Sequence, residues 1–154
     1  MSTDQVDARS ALTSDLVTAI DHAGIAVPDL DAAKAFYVEQ LGMEVLHEEV
    51  NEEQGVIEAM LGVRGTPAGS TQIQLLAPLN ESSTIAKFID RNGPGLQQLC
   101  VRTSDVDALS DRLRAAGIRL LYDTSRRGTA GARINFIHPK DAGGVLMELT
   151  QPAG

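Results

Sequence analysis

The 154-residue sequence has little cysteine and few basic residues, and each shortage excludes a class of protein. A single cysteine, Cys100, excludes a disulfide framework and a zinc cluster held by thiolates, and it fits a reducing cytoplasm. Lysine and arginine number 13 against 21 aspartates and glutamates, which gives a formal net charge of −8. A chain this acidic is not expected to bind nucleic acid or an anionic membrane surface.

Long apolar runs are missing as well. No run approaches the roughly 18 residues that a transmembrane helix needs, so no segment is predicted to span a membrane. The N-terminal stretch MSTDQVDARSALTSDL lacks the basic start and the apolar block of a secretory signal. We therefore predict that residues 1–17 form a flexible extension and that the protein is cytoplasmic.

Apolar content and length indicate one small globular domain. Hydrophobic residues make up 43% of the chain, which is enough to form a core although tryptophan is absent. A chain of 154 residues suits a single domain, or two small halves that share one core.

The predicted elements occur in the same order twice. In the first half, a strand in LVTAIDHAGIAV precedes a helix in DLDAAKAFYVEQLG and strands in MEVLHEEV, GVIEAMLGV and TQIQLLAP. A short helix in SSTIAKFIDRNG connects the halves. In the second half, a strand in GLQQLCVRT precedes a helix in SDVDALSDRLRAAG and strands in IRLLYDT, ARINFIHP and GVLMELTQP. The chain is therefore predicted to contain two β-α-β-β-β modules, which is an internal repeat.

Spacing relates the two modules position by position. Gly42, which ends the first helix, matches Gly117 at an offset of 75, and Leu75 matches Leu149 at an offset of 74. The helix start at Asp29 matches its counterpart in the second module at an offset of 76. A slowly falling offset is what the loss of one or two loop residues would produce.

Four polar residues fall on equivalent points of this repeat. Gln98 lies 76 residues after His22, and Glu148 lies 74 residues after Gln74. Each could be a metal ligand, and the alternation of a strand puts Gly24 beside His22, as on the floor of a cavity. Taken singly, each has an ordinary structural explanation, such as a glutamine bonded to backbone or a glutamate on an edge strand. Their coincidence under the repeat favours a shared site.

Four segments of the chain carry a resemblance to a known family. They are DHAGIAVPDLDAAKAFYVEQLGMEV, EEVNEEQGVIEAML, TQIQLLAPLNESSTIAKFIDRNGPG and LLYDTSRRGTAGARINFIHPKDAGGVLMEL. They resemble the vicinal oxygen chelate superfamily and, within it, the methylmalonyl-CoA epimerases, over about residues 18–152. The resemblance implies an α+β fold in which two tandem βαβββ modules form one domain, with a curled, barrel-like mixed sheet around one metal site. The modules would span about residues 18–80 and 95–152.

The resemblance also implies one divalent metal ion per chain. Its ligands would be His22, Gln74 and Glu148, with Gln98 at a fourth position where the family usually has a histidine of an HH pair and this chain has QQ. The amide oxygen of Gln98 is expected to face the ion and to bind it more weakly than imidazole does. One nitrogen and three oxygens favour Co²⁺, Mn²⁺, Zn²⁺ or Mg²⁺ without distinguishing them, and they disfavour the iron oxygenases, which need two histidines and a carboxylate.

The activity implied by the resemblance is the interconversion of (R)- and (S)-methylmalonyl-CoA by two-base proton transfer through a metal-stabilised enolate. Glu58 and Glu148 occupy the positions of the two bases. Without the resemblance, an outward-facing charge on a half-exposed strand is the simpler explanation for Glu58. Two alternatives are a glyoxalase-type metal-dependent lyase or isomerase, which Glu58 and the NEEQGV run disfavour, and a metal-free small-molecule-binding protein, which the retained ligands disfavour.

An acyl-CoA substrate would carry phosphates, and one part of this acidic chain is basic. Arg126, Arg127, Arg133 and Lys140 are four of the 13 basic residues and lie within residues 126–140, where no acidic residue occurs. Arg126, Arg127 and Lys140 are candidate substrate-binding residues, because a local basic patch can attract an anionic ligand. A solvated loop explains the same residues equally well. The resemblance further implies a homodimer.

Overall fold

The computed structural model describes residues 16–154, so residues 1–15 of the predicted N-terminal extension lie outside the described residues. Its eight strands are β1 (Ala19–Ala26), β2 (Glu44–Asn51), β3 (Val56–Gly62), β4 (Gln72–Pro78), β5 (Gly95–Arg102), β6 (Arg126–Arg127), β7 (Arg133–Ile137) and β8 (Met147–Gln151). Its three α-helices are α1 (Leu30–Ala35), which continues into a π-helical turn (Phe36–Gln40), α2 (Thr84–Asn92) and α3 (Val106–Ala115). None of the helices formed by these residues is long and apolar enough to cross a membrane.

The strands form one mixed sheet in the order β2-β3-β4-β1-β5-β8-β7-β6. Each half repeats the same arrangement, because β1 pairs in parallel with β4 and β5 pairs in parallel with β8. The halves join through the antiparallel pair of β1 and β5. The predicted α+β fold, two βαβββ modules in one curled mixed sheet, is confirmed.

The helices begin where the sequence provides a side chain that accepts a backbone N–H. Asp29 caps α1 and Asp105 caps α3, and each carboxylate accepts the N–H of the residue three positions later, at 3.1 and 3.0 Å. Such a cap satisfies one of the free N–H groups at a helix start. Both helices pack on apolar residues of the sheet, including Leu75 under α1 and Leu149 under α3.

These two leucines determine which face of the sheet carries the polar residues. Leu75 and Leu149 are at most 1% exposed, and each lies next in sequence to a predicted ligand, Gln74 or Glu148. Because side chains alternate along a strand, the two predicted ligands face away from the helices, towards the inner face of the curled sheet.

One predicted strand does not form. The sequence predicts a strand over IRLLYDT, residues 118–124, but in this segment only Leu120 forms a bridge, with Ile137. On the side of β7 away from β8, the paired strand is instead the two-residue β6, Arg126–Arg127.

From Tyr122 onwards, side chains occupy the backbone groups that a strand would need in this segment. The side-chain oxygen of Asn135 accepts the N–H of Tyr122 at 3.1 Å. The guanidinium of Arg114 donates to the carbonyl oxygens of Tyr122 and Asp123 at 2.7 and 3.0 Å. Leu121 and Tyr122 line the cavity described below, so the segment covers the site instead of extending the sheet.

Candidate active site and metal site

Polar side chains from five strands converge on the inner face of the sheet. β1, β4, β5 and β8 are adjacent, and they contribute His22, Gln74, Gln98 and Glu148, while β3 contributes Glu58. His22, Gln74, Glu58 and Glu148 are each at most 6% exposed. Buried polar groups are costly unless they are paired, so this concentration indicates a functional site.

The four predicted ligands lie within contact distance of one another. Nε2 of His22 is 3.3 Å from Oε1 of Glu148. Nε2 of Gln98 is 2.9 Å from Oε1 of Glu148, 3.0 Å from Oε1 of Gln74 and 3.5 Å from Nε2 of His22. The repeat in the sequence therefore located side chains that meet, although their roles remain predictions.

The orientation of Gln98 differs from the expectation. The sequence predicts that its amide oxygen faces the ion, whereas in the structure the amide nitrogen is turned towards Gln74 and Glu148. Two acceptor oxygens, on Gln74 and Glu148, face this position, and an amide nitrogen is the donor that they require. The oxygen and the nitrogen of a side-chain amide can exchange places by rotation, and the neighbouring donors and acceptors determine which orientation is favoured.

The donor set fits a divalent cation. Nitrogen and oxygen ligands lie about 2.0–2.2 Å from ions such as Zn²⁺, so two ligands of a tetrahedral ion are about 3.3–3.6 Å apart. The separation of 3.3 Å between His22 and Glu148 lies within that range. The Gln74 side chain is also suitably fixed, because its amide nitrogen donates to Glu58 at 2.8 Å and to Thr129 at 3.1 Å, which leaves its oxygen to face Gln98.

Two further groups lie beside His22 but do not belong to this donor set. Ligand atoms of Asp21, His22 and Cys100 lie within 4.8 Å of one another. Burial raises the pKa of the Cys100 thiol, and the nearby Glu148 carboxylate raises it further, so the sulfur stays protonated. Asp21 is engaged by Arg102 and by the His22 ring.

The His22 ring lies between two carboxylates. Burial alone would lower the pKa of His22, but hydrogen bonds from the ring to Asp21 and Glu148 outweigh burial and raise this pKa to about 9. At neutral pH the free ring is therefore an imidazolium, and a cation at this site would replace the proton on Nε2.

The Glu58 carboxylate has a pKa in the range that proton transfer at neutral pH requires. Burial raises the pKa of Glu58 to about 7, the charges of Glu49 and Glu148 add to this, and a hydrogen bond from Thr129 opposes it. A carboxylate that titrates near the working pH can both accept and return a proton. The outward-facing explanation for Glu58 is excluded, since the side chain is buried on the inner face.

Thr129 was not identified from the sequence. Its hydroxyl donates to Oε1 of Glu58 at 2.5 Å and accepts from the Gln74 amide at 3.1 Å. The turn that carries it contains Ala130 with a positive φ of 54°, and the Ala130 N–H donates to Glu49. Thr129 is 71 residues from Glu58, and nothing in the sequence RRGTAGAR marks the contact.

A cavity of about 290 Å³ opens above Glu58, Gln74, Gln98 and Glu148, and its walls are largely apolar, with contributions from Val56, Leu76, Ile85, Leu121, Phe136 and Leu146. His22 lines a second cavity together with Asp21, and Glu148 lines both cavities. An apolar cavity with a few convergent polar groups is the usual form of a small-molecule site.

The predicted substrate-binding residues lie at the surface. The Arg126 guanidinium lies 4.0 Å above the ring of Tyr122, which lines the cavity, so Arg126 is at the cavity rim. Arg127 is exposed next to it. Lys140 is exposed in the turn Pro139–Asp141. The other two histidines lie elsewhere: His47 bonds to Glu49, and His138 accepts the Lys140 N–H.

A close contact between strands holds Gln98 in place. Gly24 lies opposite Gln98, and a Cβ on Gly24 would be 2.5 Å from Cγ of Gln98. We expect Gly24→Ala to lower the free energy of unfolding by about 1–3 kcal/mol, measured by urea denaturation. In a Gln98→Ala background the clashing atoms are gone, so the same change should cost little there. An equal cost in both backgrounds would show that this contact is not the cause.

The chain is similar to known proteins over most of its length. The family model of the Glyoxalase/Bleomycin resistance protein/Dioxygenase superfamily matches residues 21–136. The ethylmalonyl-CoA/methylmalonyl-CoA epimerase of Cereibacter sphaeroides is 38% identical over 138 residues, which cover 88% of this chain and 99% of that protein.

Solved structures are similar over both halves of the sheet. Methylmalonyl-CoA epimerase from Mycobacterium tuberculosis has a TM-score of 0.87 at 60% identity, and the match covers 96% of each chain. A methylmalonyl-CoA epimerase in complex with methylmalonyl-CoA and NH4+ has a TM-score of 0.85 at 50% identity, and the match covers 90% of this chain and 96% of that one.

Proposed function

The chain belongs to the methylmalonyl-CoA epimerases of the glyoxalase/bleomycin resistance protein/dioxygenase superfamily, and from this we infer that it interconverts the (R) and (S) epimers of methylmalonyl-CoA. The reacting carbon lies between a thioester and a carboxylate. It must lose a proton on one face and gain a proton on the other.

Glu58 and Glu148 are the two carboxylates that we assign to these transfers. The observation that carries the assignment is the burial of both at the base of one cavity, with the pKa of Glu58 raised by burial to about 7. Thr129 and Gln74 each donate to one oxygen of Glu58, at 2.5 and 2.8 Å. A carboxylate oxygen can accept more than one hydrogen bond, so both oxygens keep a lone pair for the substrate.

His22, Gln74 and Glu148 would hold the divalent ion, and Gln98 would join them after its amide turns to present the oxygen in place of the nitrogen that now faces Gln74 and Glu148. When bound, such an ion supplies positive charge that offsets the negative charge developing on the thioester oxygen, an effect of several kcal/mol. The apolar walls of the cavity exclude water and so strengthen the electrostatic interactions within it.

Substrate conversion tests this function directly. Purified protein is incubated with (S)-methylmalonyl-CoA in heavy water after loading with Co²⁺, Mn²⁺, Zn²⁺ or Mg²⁺, and both epimers are quantified. We expect equilibration of the epimers with deuterium at the reacting carbon. Absence of equilibration with all four ions, together with turnover of a glutathione hemithioacetal, would identify a glyoxalase-type enzyme instead.

The glutamine at the fourth ligand position leads to a specific expectation. Gln98→His should bind Zn²⁺ more tightly, on the order of tenfold, because imidazole is a stronger ligand for this ion than an amide oxygen. Isothermal titration calorimetry measures the change. Gln97→His is the matched control, since Gln97 lines the same cavity but none of the described contacts joins it to the ligand cluster. Weaker binding by Gln98→His would mean that the amide serves another purpose, such as a hydrogen bond to substrate.

We further propose a homodimer located in the cytoplasm. The dimer rests on the resemblance to the epimerases, and exposed large apolar side chains such as Leu96 and Ile20 are compatible with a contact between protomers. The cytoplasmic location rests on the acidic, cysteine-poor sequence and is compatible with Cys100 as a buried free thiol. We also assign Arg126, Arg127 and Lys140 to the phosphates of the acyl-CoA.

A further inference from the structure

Beside His22, two charged side chains continue its hydrogen-bond chain, and one of them, Asp21, lines a second cavity together with His22. Nδ1 of His22 is 2.6 Å from Oδ2 of Asp21, and Nε of Arg102 donates to Oδ1 of the same carboxylate at 2.8 Å. Arg102 is itself fixed, because its Nη2 donates to the carbonyl oxygen of Gly69 at 3.2 Å. The side chains of Asp21 and Arg102 are 19% and 23% exposed, and that of His22 is 5% exposed.

We propose that Asp21 and Arg102 are positioning residues that reserve Nε2 of His22 for a cation, a role that rests on the proposed metal site. An ionised carboxylate accepts hydrogen bonds and donates none. Asp21 can therefore pair with Nδ1 only while that nitrogen carries a proton. Nε2, which faces Glu148 and Gln98, is then the ring nitrogen that can give up its proton to a metal.

Arg102 determines how a substituted side chain would be oriented at position 21. A guanidinium only donates hydrogen bonds, so the atom that faces Arg102 must be an acceptor. In Asp21→Asn, the amide oxygen is therefore drawn to Arg102 and the amide nitrogen faces Nδ1 of His22. This nitrogen is a donor, so Nδ1 must lose its proton. The proton then lies on Nε2, where Oε1 of Glu148, 3.3 Å away, accepts it.

In the Asp21→Asn protein, the hydrogen bonds around His22 would therefore all be satisfied and the fold kept, but Nε2 would carry a proton and could not bind a cation. Loss of a carboxylate behind a metal-ligating histidine typically weakens metal binding about 10–100-fold, and we expect a loss in this range. Without the guanidinium of Arg102, the side chain at position 21 no longer has to present an acceptor to it. In the double variant Asp21→Asn/Arg102→Met, the amide is free to turn its oxygen to Nδ1, which restores the original proton position.

The experiment measures Co²⁺ affinity by calorimetry in the wild type, Asp21→Asn, Arg102→Met and the double variant. Asp29→Asn is the matched control, because it makes the same chemical change at a helix cap, where the carboxylate accepts the Ala32 N–H instead of bonding to His22. We expect Asp21→Asn to bind 10–100-fold more weakly, and the double variant to bind more tightly than Asp21→Asn alone. A residue with a merely structural role would give additive losses, so a double variant weaker than Asp21→Asn overturns the proposal, as does an unchanged affinity in Asp21→Asn.

Nitrogen NMR of the His22 ring gives a second measurement that does not need a metal. On the neutral ring, the proton should be on Nδ1 in the wild type, on Nε2 in Asp21→Asn, and on Nδ1 again in the double variant. If the wild type binds no Co²⁺ and the proton still moves in this order, the proposed metal site fails, while control of the ring proton by Asp21 and Arg102 stands. If the proton stays on the same nitrogen in all variants, the positioning role is wrong whatever the metal affinity.

Discussion

Glu58→Gln is expected to lower the rate of racemisation of methylmalonyl-CoA by about 10²–10⁴-fold, because an amide cannot accept the α-proton that the carboxylate accepts. The substitution keeps the size of the side chain, and the amide oxygen can still accept a hydrogen bond from Thr129 or Gln74. Metal affinity and substrate binding should therefore change little. The measurement is the rate of epimer interconversion, followed separately from metal binding by calorimetry.

Deuterium incorporation measures proton exchange separately from inversion and so tests the role of Glu58 more directly. With Glu148 intact, one face of the reacting carbon can still exchange its proton with heavy water after Glu58→Gln. One epimer should then gain deuterium faster than it inverts, whereas in the wild type exchange and inversion remain coupled. Glu48→Gln is the matched control, since Glu48 lies on β2 and pairs with Lys34 at the surface. If Glu58→Gln racemises the substrate at the wild-type rate, Glu58 is not a base.

The positions of the four proposed ligands could be predicted from the sequence because the two halves share one architecture. His22 and Gln98 lie on the first strand of each half, and Gln74 and Glu148 lie on the last, so a shared offset brings them to the same face. A side chain on a strand can point to only two faces of the sheet, and equivalent positions in repeated strands point to the same one.

The orientation of Glu58 could not be predicted from its own strand. β3 is buried on both faces, because Leu61 on the helix-facing side and Val56 on the cavity-facing side are each at most 3% exposed. A strand of this kind has no alternation between apolar and polar residues that would show which way a charge points. Its buried direction follows from the contact with Thr129, which only the fold supplies.

Two other features depend on side-chain partners that are distant in sequence. The strand predicted over residues 118–124 is replaced because Asn135 and Arg114 occupy the backbone groups of Tyr122. The amide nitrogen of Gln98 faces inward because two acceptors surround it. Local propensity includes neither of these effects, since each arises between elements that meet only in the folded chain.

Glu148→Gln is expected to damage metal binding and racemisation together, in contrast to Glu58→Gln. Oε1 of Glu148 lies 3.3 Å from Nε2 of His22 and 2.9 Å from Nε2 of Gln98, so the carboxylate belongs to the ligand cluster as well as to the cavity base. An amide at this position removes the negative charge that a divalent ion requires. We expect Co²⁺ affinity to fall by at least about tenfold and racemisation to fall by about 10²–10⁴-fold.

Metal saturation separates the two roles of Glu148. Racemisation by Glu148→Gln is measured over increasing Co²⁺, with Thr150→Val as the control, because Thr150 is a buried polar residue on the same face of β8. If Glu148 is both ligand and base, activity stays low after calorimetry shows that the site is filled. Full recovery at saturating Co²⁺ would show that Glu148 only holds the ion, and the second base would then have to be sought among the other groups lining the cavity. Unchanged Co²⁺ affinity would instead remove Glu148 from the ligands and leave it as a base alone.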